Sequence, residues 1–392
     1  MGLLIFSGCS KSSNNNGGNG GGGGNGGTQQ AYVADLTGGY ASASGTWAKA
    51  IRIQKDGKIL VLGYQWFVRL EKDGVTVDKT FSPLSQLASS ADINSIELQD
   101  DGKIIVFGKF SLTGGRKGIV RLNTDGSLDE SFNNPVLDIN YQAQAINIYA
   151  IRLLANGKMV IAGAFSYKTP TSYGNGIARL NADQSLDYSF VSPISAGDVY
   201  NVRGMLPLSG GGFLLTGYGA IKMNDGVNYA IVRIGVDGAF DKSYVFDAAG
   251  VLKATSVITG DLKELPDGKV LMGWYSGGVQ DYTSHVSRLN SDGSVDAGFT
   301  SFDLGGYVRS LLVLSDNSIL TGNDPDRNLP YVKKYLSYLG SAGKEDTTFK
   351  PSLTFGTSIF SLVSVDETTV LAGGNLYFGD KKYSVVRFRK NK

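Results

Sequence analysis

Along most of the chain, short apolar runs alternate with turns built from Asp, Asn and Gly. "KILVLG" (58–63), "KIIVFG" (103–108), "KMVIAG" (158–163) and "KVLMG" (269–273) are almost continuously apolar, with Asp-Gly or Asn-Gly before them and a glycine at their end. A run of four or five apolar residues without polar alternation suits a strand buried on both faces. "FLLTG" (213–217), "SILTG" (318–322) and "TVLAG" (369–373) fit the same frame more loosely. A mixed run such as "INSIELQ" (93–99) precedes each one, so the Asp-Gly between them predicts a tight hairpin that needs positive φ. A third strand, as in "IVRLN" (119–123), leads through a second Asp-Gly to "SLDESF" (127–132), which reads as a fourth. Helical periodicity is absent.

The outer piece recurs nearly verbatim: "LNTDGSLDESF" (122–132), "LNADQSLDYSF" (180–190) and "LNSDGSVDAGF" (289–299). Counting weaker copies, the closing aromatics are Phe81, Phe132, Phe190, Tyr244, Phe299 and Phe349, spaced by 51, 58, 54, 55 and 50 residues. With a last, truncated copy there are seven units. Repeats of this length, each of four short strands, predict an all-β, seven-bladed β-propeller with four-stranded antiparallel blades. An open β-solenoid is the alternative. The last unit stops at "YSVVRFRKNK" (383–392) without a closing strand, and "QAYVADLTGGYAS" (30–42) belongs to no unit. The N-terminal segment is therefore expected to close the last blade by pairing beside Val385–Phe388, leaving no open edge. The strand-closing glycines, Gly63, Gly108, Gly163, Gly217, Gly273, Gly322 and Gly373, predict a bulge or a close backbone approach.

"LQDDGKIIVFGKF…IVRLNTDGSLDESF" (98–132) resembles the delta-60 repeat, a β-propeller family of bacterial secreted and surface proteins, and the likeness spans residues 50–388. The resemblance implies the fold and an exported bacterial setting. It brings no activity and no site residues.

The N-terminus points the same way. "MGLLIFSGCS" ends a short apolar run in Ser7-Gly8-Cys9, similar to a bacterial lipobox, although Phe6 stands where leucine is usual and no basic region precedes Leu3. Residues 1–9 are read as a lipoprotein signal remnant with Cys9 as the lipid-anchor residue. Residues 10–30, rich in Gly and Asn, form a tether with a reach of roughly 25 Å, and residues 31–392 form one propeller domain. The expected location is the bacterial outer membrane, lipid-anchored, with membrane contact through the anchor only.

Composition narrows the chemistry. With 37 basic against 35 acidic residues there is no polyanion signature, so nucleic acid is not an expected partner. Cys9 is the only cysteine and His285 the only histidine, which excludes disulfides, multi-thiolate sites and multi-histidine metal sites. His285 reads as a surface residue at a strand entrance. The turn aspartates lack the order of a calcium loop, and "DPDRNLPY" (324–331) has leucine at the sixth position, so no metal and no cofactor is expected.

In a four-stranded blade the short, repetitive A–B and C–D turns share one face, and the variable B–C loops share the other. Aromatics follow the B-strand glycines there: Tyr64, Trp66, Tyr218, Tyr229, Trp274, Tyr275 and Tyr282, with Tyr167, Tyr173, Tyr331 and Tyr377 in other units. They are the candidate ligand-binding residues for a glycan or protein, and Trp66 and Trp274 are expected to be exposed. The expected function is a monomeric, non-catalytic surface lipoprotein that binds through this loop face. A carboxylate-based carbohydrate-active enzyme using acids such as Asp198, Asp281 or Asp324, and a structural module of an envelope complex, are the alternatives. No catalytic residue stands out.

Overall fold

Strands dominate the computed structural model, and the helix found among the described residues is one turn, α1 (Ser85–Ala88). It describes residues 32–390 apart from 89–91, 136, 138–145, 196–201, 245, 247–257, 277–282, 301, 305, 325–333 and 355. Cys9 and the tether lie outside the described residues. Strand β1 (Tyr32–Tyr40) comes first. Unit one holds β2 (Ala48–Ile53), β3 (Ile59–Gly63) and β4 (Trp66–Leu70). Unit two holds β5 (Ile93–Leu98), β6 (Ile104–Ser111) and β7 (Lys117–Leu122). Unit three holds β8 (Asn147–Leu153), β9 (Met159–Lys168) and β10 (Tyr173–Leu180). Unit four holds β11 (Val202–Pro207), β12 (Phe213–Lys222) and β13 (Asn228–Ile234). Unit five holds β14 (Ile258–Glu264), β15 (Val270–Ser276) and β16 (Thr283–Leu289), with a two-residue β17 (Phe302–Asp303) after it. Unit six holds β18 (Tyr307–Val313), β19 (Ile319–Asp324) and β20 (Leu336–Leu339). Unit seven holds β21 (Ser358–Asp366), β22 (Thr369–Phe378) and β23 (Lys381–Lys390).

Within each unit the first strand pairs antiparallel with the second and the second with the third. The first strands touch in succession, β2, β5, β8, β11, β14, β18 and β21, and β21 touches β2 again. The units therefore ring a common axis, as expected of a propeller.

The outer strand departs from expectation. "SLDESF" and its copies contribute one isolated bridge per unit, as at Leu122–Leu128 and Leu180–Leu186, rather than a full fourth strand. The aspartate ends the pairing. Asp129 N–H donates to the Arg121 carbonyl at 2.9 Å, and the Asp129 Oδ1 then accepts from Ser131 N–H and Oγ–H at 3.0 and 2.6 Å. That local turn curls the chain away from the sheet before a second pair can form. Two units gain a fourth strand: in unit five the two-residue β17 pairs with β16, and in unit seven β1 lies along β23 with Tyr32 opposite Lys390 and Asp35 opposite Arg387. The pairing breaks between Asp35 and Tyr40 and resumes opposite Val385.

The alternation within each second strand explains its unbroken apolar run. Leu60 and Leu62 join a buried cluster with Ile93, Ile104 and Val106 of unit two, whereas Ile59 and Val61 join one with Leu371 and Val385 of unit seven. Ile105 and Phe107 face unit three in the same way. Seven such clusters occupy the seven seams between neighbouring units. Each buried aliphatic side chain contributes on the order of 1.5–3 kcal/mol. The strand-closing glycines sit where the first strand bulges: a Cβ on Gly108 would lie 2.2 Å from the Asp92 carbonyl oxygen, opposite the register shift between Ile93 and Ser95.

A polar latch crosses most seams. Asp129 Oδ2 receives Lys103 Nζ at 2.8 Å and Arg121 Nε at 2.6 Å, and Arg121 lies over the Phe132 ring. Lys58, Arg69 and Asp78 repeat this geometry, as do Lys158, Arg179 and Asp187, and Lys269, Arg288 and Asp296. The same arginine reaches the next unit. Arg69 donates to the Thr124 carbonyl at 2.5 Å, Arg233 to Ser291 at 2.7 Å and Arg288 to Ser341 at 2.8 Å, and Arg179 to Val236. Arg387 of unit seven closes the circle on the Asp73 carbonyl of unit one. Asp35 of β1, 3.9 Å from Arg387 and 2.9 Å from Arg389, supplies the carboxylate there.

The chain leaving each unit also crosses that turn. Ser82 N–H donates to the Asp125 carbonyl at 2.8 Å, and Thr300 N–H to Ala342 at 2.8 Å. A Cβ on Gly126 would stand 2.8 Å from the Pro83 nitrogen, so the Asp-Gly serves both the positive φ of 93° and the crossing. In unit three Gln184 takes the turn at φ 68°, and its Oε1 accepts the Asn133 N–H at 3.1 Å in place of a carbonyl.

Charge and burial act together here. Burial works to raise Asp129, and the bonds from Lys103, Ser131 and Arg121 outweigh it, holding the carboxyl well below the usual range. A folded pKa below the unfolded value gives stability that is complete above about pH 4 and lost as pH falls through the folded value. Asp129→Asn should therefore cost about 1–3 kcal/mol at pH 7 in denaturant melts, and its deficit should shrink below pH 4. Lys55→Ala, which breaks an exposed pair with Asp100, should change nothing measurable. Deleting residues 1–30 should leave the melting temperature unchanged, whereas deleting 1–42 removes Tyr32 from its seam and should lower the stability of the whole body.

Candidate functional site

The ring of first strands encloses a cavity of about 330 Å³, and its lining is polar. The first strands of units two to five each give three residues to its lining, and those of units one and six give Arg52 and Arg309. Counting back seven residues from the A–B turn gives Lys49, Asn94, Tyr149, Arg203, Gly260 and Arg309 in units one to six. These positions fall within the first three residues of their strands, at the end where the second strand passes into the B–C loop. Counting back four gives Arg52, Glu97 and Arg152, deeper in the channel. Ser95, Gly204 and Asp261 stand between the two levels.

Four guanidinium groups line this one cavity, with Glu97 and Asp261 as its acids. Glu97 Oε1 lies 3.1 Å from Arg52 and 3.4 Å from Arg152, so one carboxylate serves two cations. Asp261 is occupied by the framework: Leu262 N–H donates to Oδ1 and Leu311 N–H of the next unit to Oδ2, both at 2.9 Å, and Lys263 pairs with it at 3.1 Å. Arg203 stacks 4.1 Å above the Tyr149 ring. Arg309 pairs with Asp324 at 3.0 Å, and Asp324 also accepts from Ser358 Oγ. Enclosure lowers the Arg152 pKa, Glu97 opposes the change and Arg52 adds to it. The guanidinium remains charged at any accessible pH. At the mouth, burial lowers Lys49 while Asp92 opposes, and Lys49 Nζ donates to the Ile93 carbonyl at 2.9 Å.

The aromatics expected on the loop face divide differently. Trp66 and Trp274 are buried, 9% and 4% exposed, not free-standing. Trp66 folds back over Gly63, where a Cβ would meet its ring at 1.8 Å, and donates to Thr46 Oγ1 at 2.9 Å. Trp274 donates to Ser287 Oγ at 3.0 Å and stacks on His285 at 4.8 Å, so His285 is half-buried against an indole. An indole N–H that finds a hydroxyl inside its own sheet is a packing residue. Tyr275 is also buried, edge-on to Tyr307 at 4.3 Å, and Tyr167 is buried. Tyr64 is half-buried and stacks on Trp47 at 4.7 Å, with Lys49 above it. Tyr229 donates to Asp225 at 3.0 Å and meets Phe240 edge-on. Tyr173 is exposed and Tyr377 half-buried. Tyr218 pairs through its backbone with Ile258 of unit five. Tyr282, Tyr331, Asp198 and Asp281 lie outside the described residues.

The channel arginines were not singled out from sequence, although aligning the units on their A–B turns exposes them as charges inside apolar strands. The latch was legible too: Lys after Asp-Gly, Arg in "VRLN" and Asp in "SLDESF" occur together in the same units. Its loss leaves a mark. In unit four Gly212 stands in the lysine position, and Asp241 is 36% exposed against 3–12% for the four fully latched aspartates. A seam cavity of about 700 Å³ opens there, between Gly211, Arg233, Asp241 and Tyr244. Burial pushes the Tyr244 hydroxyl up to about 12.

An acid–base pair for glycoside cleavage needs one carboxyl kept protonated in apolar surroundings. Glu97 lies between two guanidinium groups instead. Among the described residues no group of three or more His, Cys, Asp or Glu side chains converges as a metal site.

A family model described as "Domain of unknown function (DUF5122) beta-propeller" matches residues 54–81, 99–132, 154–190 and 265–299, within units one, two, three and five. No curated protein matches. Among solved structures, one described as the extracellular domain of a one-component system from B. thetaiotaomicron is similar over 93% of this chain, with 13% identity and a TM-score of 0.59. This chain spans 40% of the length of that one. A gluconolactonase from Xanthomonas campestris is similar over 93% of this chain and 95% of its own, with 10% identity and a TM-score of 0.42. The family matches and the ring of antiparallel sheets together give the chain an all-β propeller fold.

Proposed function

We propose that the chain is a non-catalytic, seven-bladed propeller of the delta-60 kind, in which the curled outer segment is each blade's reduced fourth strand. It binds a glycan or protein ligand on the B–C loop face, at the mouth of the central channel. It works as a monomer, held to the bacterial outer membrane by acylated Cys9 and a Gly/Asn tether.

One observation carries the binding reading. Positions that build seams repeat from unit to unit, whereas the level at the channel mouth reads Lys49, Asn94, Tyr149, Arg203, Gly260 and Arg309, different in almost every unit. A fold made of copies needs no such diversity at equivalent positions. A surface that recognises something asymmetric does. Tyr149 beside Arg203, and the stacked Trp47–Tyr64 pair beside Lys49, put half-buried aromatic rings next to cationic groups on the loop side, a pairing suited to contact with a ligand's ring edge or polar groups.

Glycan and peptide arrays probed with the full chain should yield a ligand whose binding falls by about tenfold or more in Tyr149→Ala or Tyr64→Ala, with melting temperatures near wild type. Binding untouched by both substitutions, or no ligand on either array, would overturn the reading. For the anchor, a fatty-acid probe should label the wild-type protein in bacteria and leave Cys9→Ala unlabelled, and equal labelling of both would refute acylation at Cys9.

A further inference from the structure

The four channel arginines are not required by the fold. At the deeper level, where units one and three carry Arg52 and Arg152, units four, six and seven carry Leu206, Leu312 and Val363. At the mouth, where units four and six carry Arg203 and Arg309, units two and five carry Asn94 and Gly260. Equivalent strands therefore fold with apolar, neutral or no side chains at these places. Bringing four guanidinium groups to one cavity of about 330 Å³ has a Coulombic cost, of which Asp324 beside Arg309 offsets part. Glu97 is shared between two arginines, and Asp261 is engaged by two backbone N–H groups and Lys263. Arg52, Arg152 and Arg309 nevertheless keep 31%, 33% and 41% of their side-chain surface exposed. Guanidinium is the side chain best shaped for bidentate contact with carboxylate or phosphate, and a narrow low-dielectric cleft strengthens that attraction. The volume is at the lower end of small-ligand sites.

From this we infer that the channel binds a small oxyanion-bearing ligand, with carboxylate or phosphate groups held by Arg52, Arg152, Arg203 and Arg309. It rests on the channel mouth being the binding face. It adds the ligand's charge. An acidic sugar would satisfy both features: its ring would lie against Tyr149 at the mouth and its anionic group would point inward.

Titration calorimetry of the full chain with galacturonic acid, citrate, inorganic phosphate and glucose, at matched ionic strength, tests this. At least one of the three anions should bind saturably at one site, and glucose should not. Arg152→Gln and Arg203→Gln should each weaken that binding tenfold or more, while Arg116→Gln, a surface change outside the cavity, should not alter it. A response to phosphate alone assigns a phosphate ligand, and a response to galacturonate or citrate alone assigns a carboxylate. Should either channel variant fail to fold, wild-type crystals soaked in selenate should show the anomalous signal between Arg152 and Arg203. No saturable anion binding, binding indifferent to both channel variants, or selenate found only outside the channel would overturn the inference. A neutral array ligand that needs Tyr149 but not Arg152 or Arg203 would overturn the anion assignment and leave the loop-face reading standing. Anion binding that needs the arginines, with empty arrays, would do the reverse.

Discussion

The structure depends on how one unit is held to the next. A three-stranded sheet of this size, apolar on both faces, has no stable existence alone. Seven apolar seams supply most of the driving force. Hydrophobic contact is non-directional, so it does not by itself set the angle or register between neighbours. The arginine of the third strand does that. It is fixed at one end by its own unit's aspartate and ring, as with Arg69 on Asp78 and Phe81, and reaches with the other end to a carbonyl of the following turn, Thr124. Because that turn must also let the departing chain cross, Asp-Gly recurs with it. The eleven-residue repeat is the written form of this latch.

Closure follows from the same interaction. In unit seven the place beside β23 is taken by β1, and Arg387 reaches the Asp73 carbonyl of unit one as the other arginines reach their next turns. Strand β1 provides Asp35 beside Arg387 and Arg389, and Tyr32 fills the seam between units six and seven. The N-terminal strand thus replaces sheet, charge and core at once, which makes it part of the ring rather than an appendage.

Much of this was legible in the sequence, because repeated positions announce themselves. Two-sided burial of "KIIVFG", the tight Asp-Gly turns and the pairing of β1 with β23 all follow from patterning and turn chemistry. The length of the outer strand was not legible: "SLDESF" has strand-like alternation, but Asp129 turns its carboxylate onto Ser131 and ends the ladder after one bridge. The loop-face tryptophans were misplaced for a related reason. Spacing after a glycine says where the backbone leaves a strand, not that Trp66 folds back onto the space the glycine vacates. The channel arginines stayed hidden because each occurs in one or two units, and a reading tuned to repetition passes over what does not repeat. Those departures are where the candidate site lies.

The central claim is that latch and closure make the ring one cooperative body, with β1 as a full member. Native-state hydrogen exchange, followed peptide by peptide, tests it most directly. The account predicts that amides of β1 and β23 open only in the same global event as those of β3 and β6, with one common free energy of opening. Earlier, independent exchange of β1 and β23, while the other units stay protected, would contradict it.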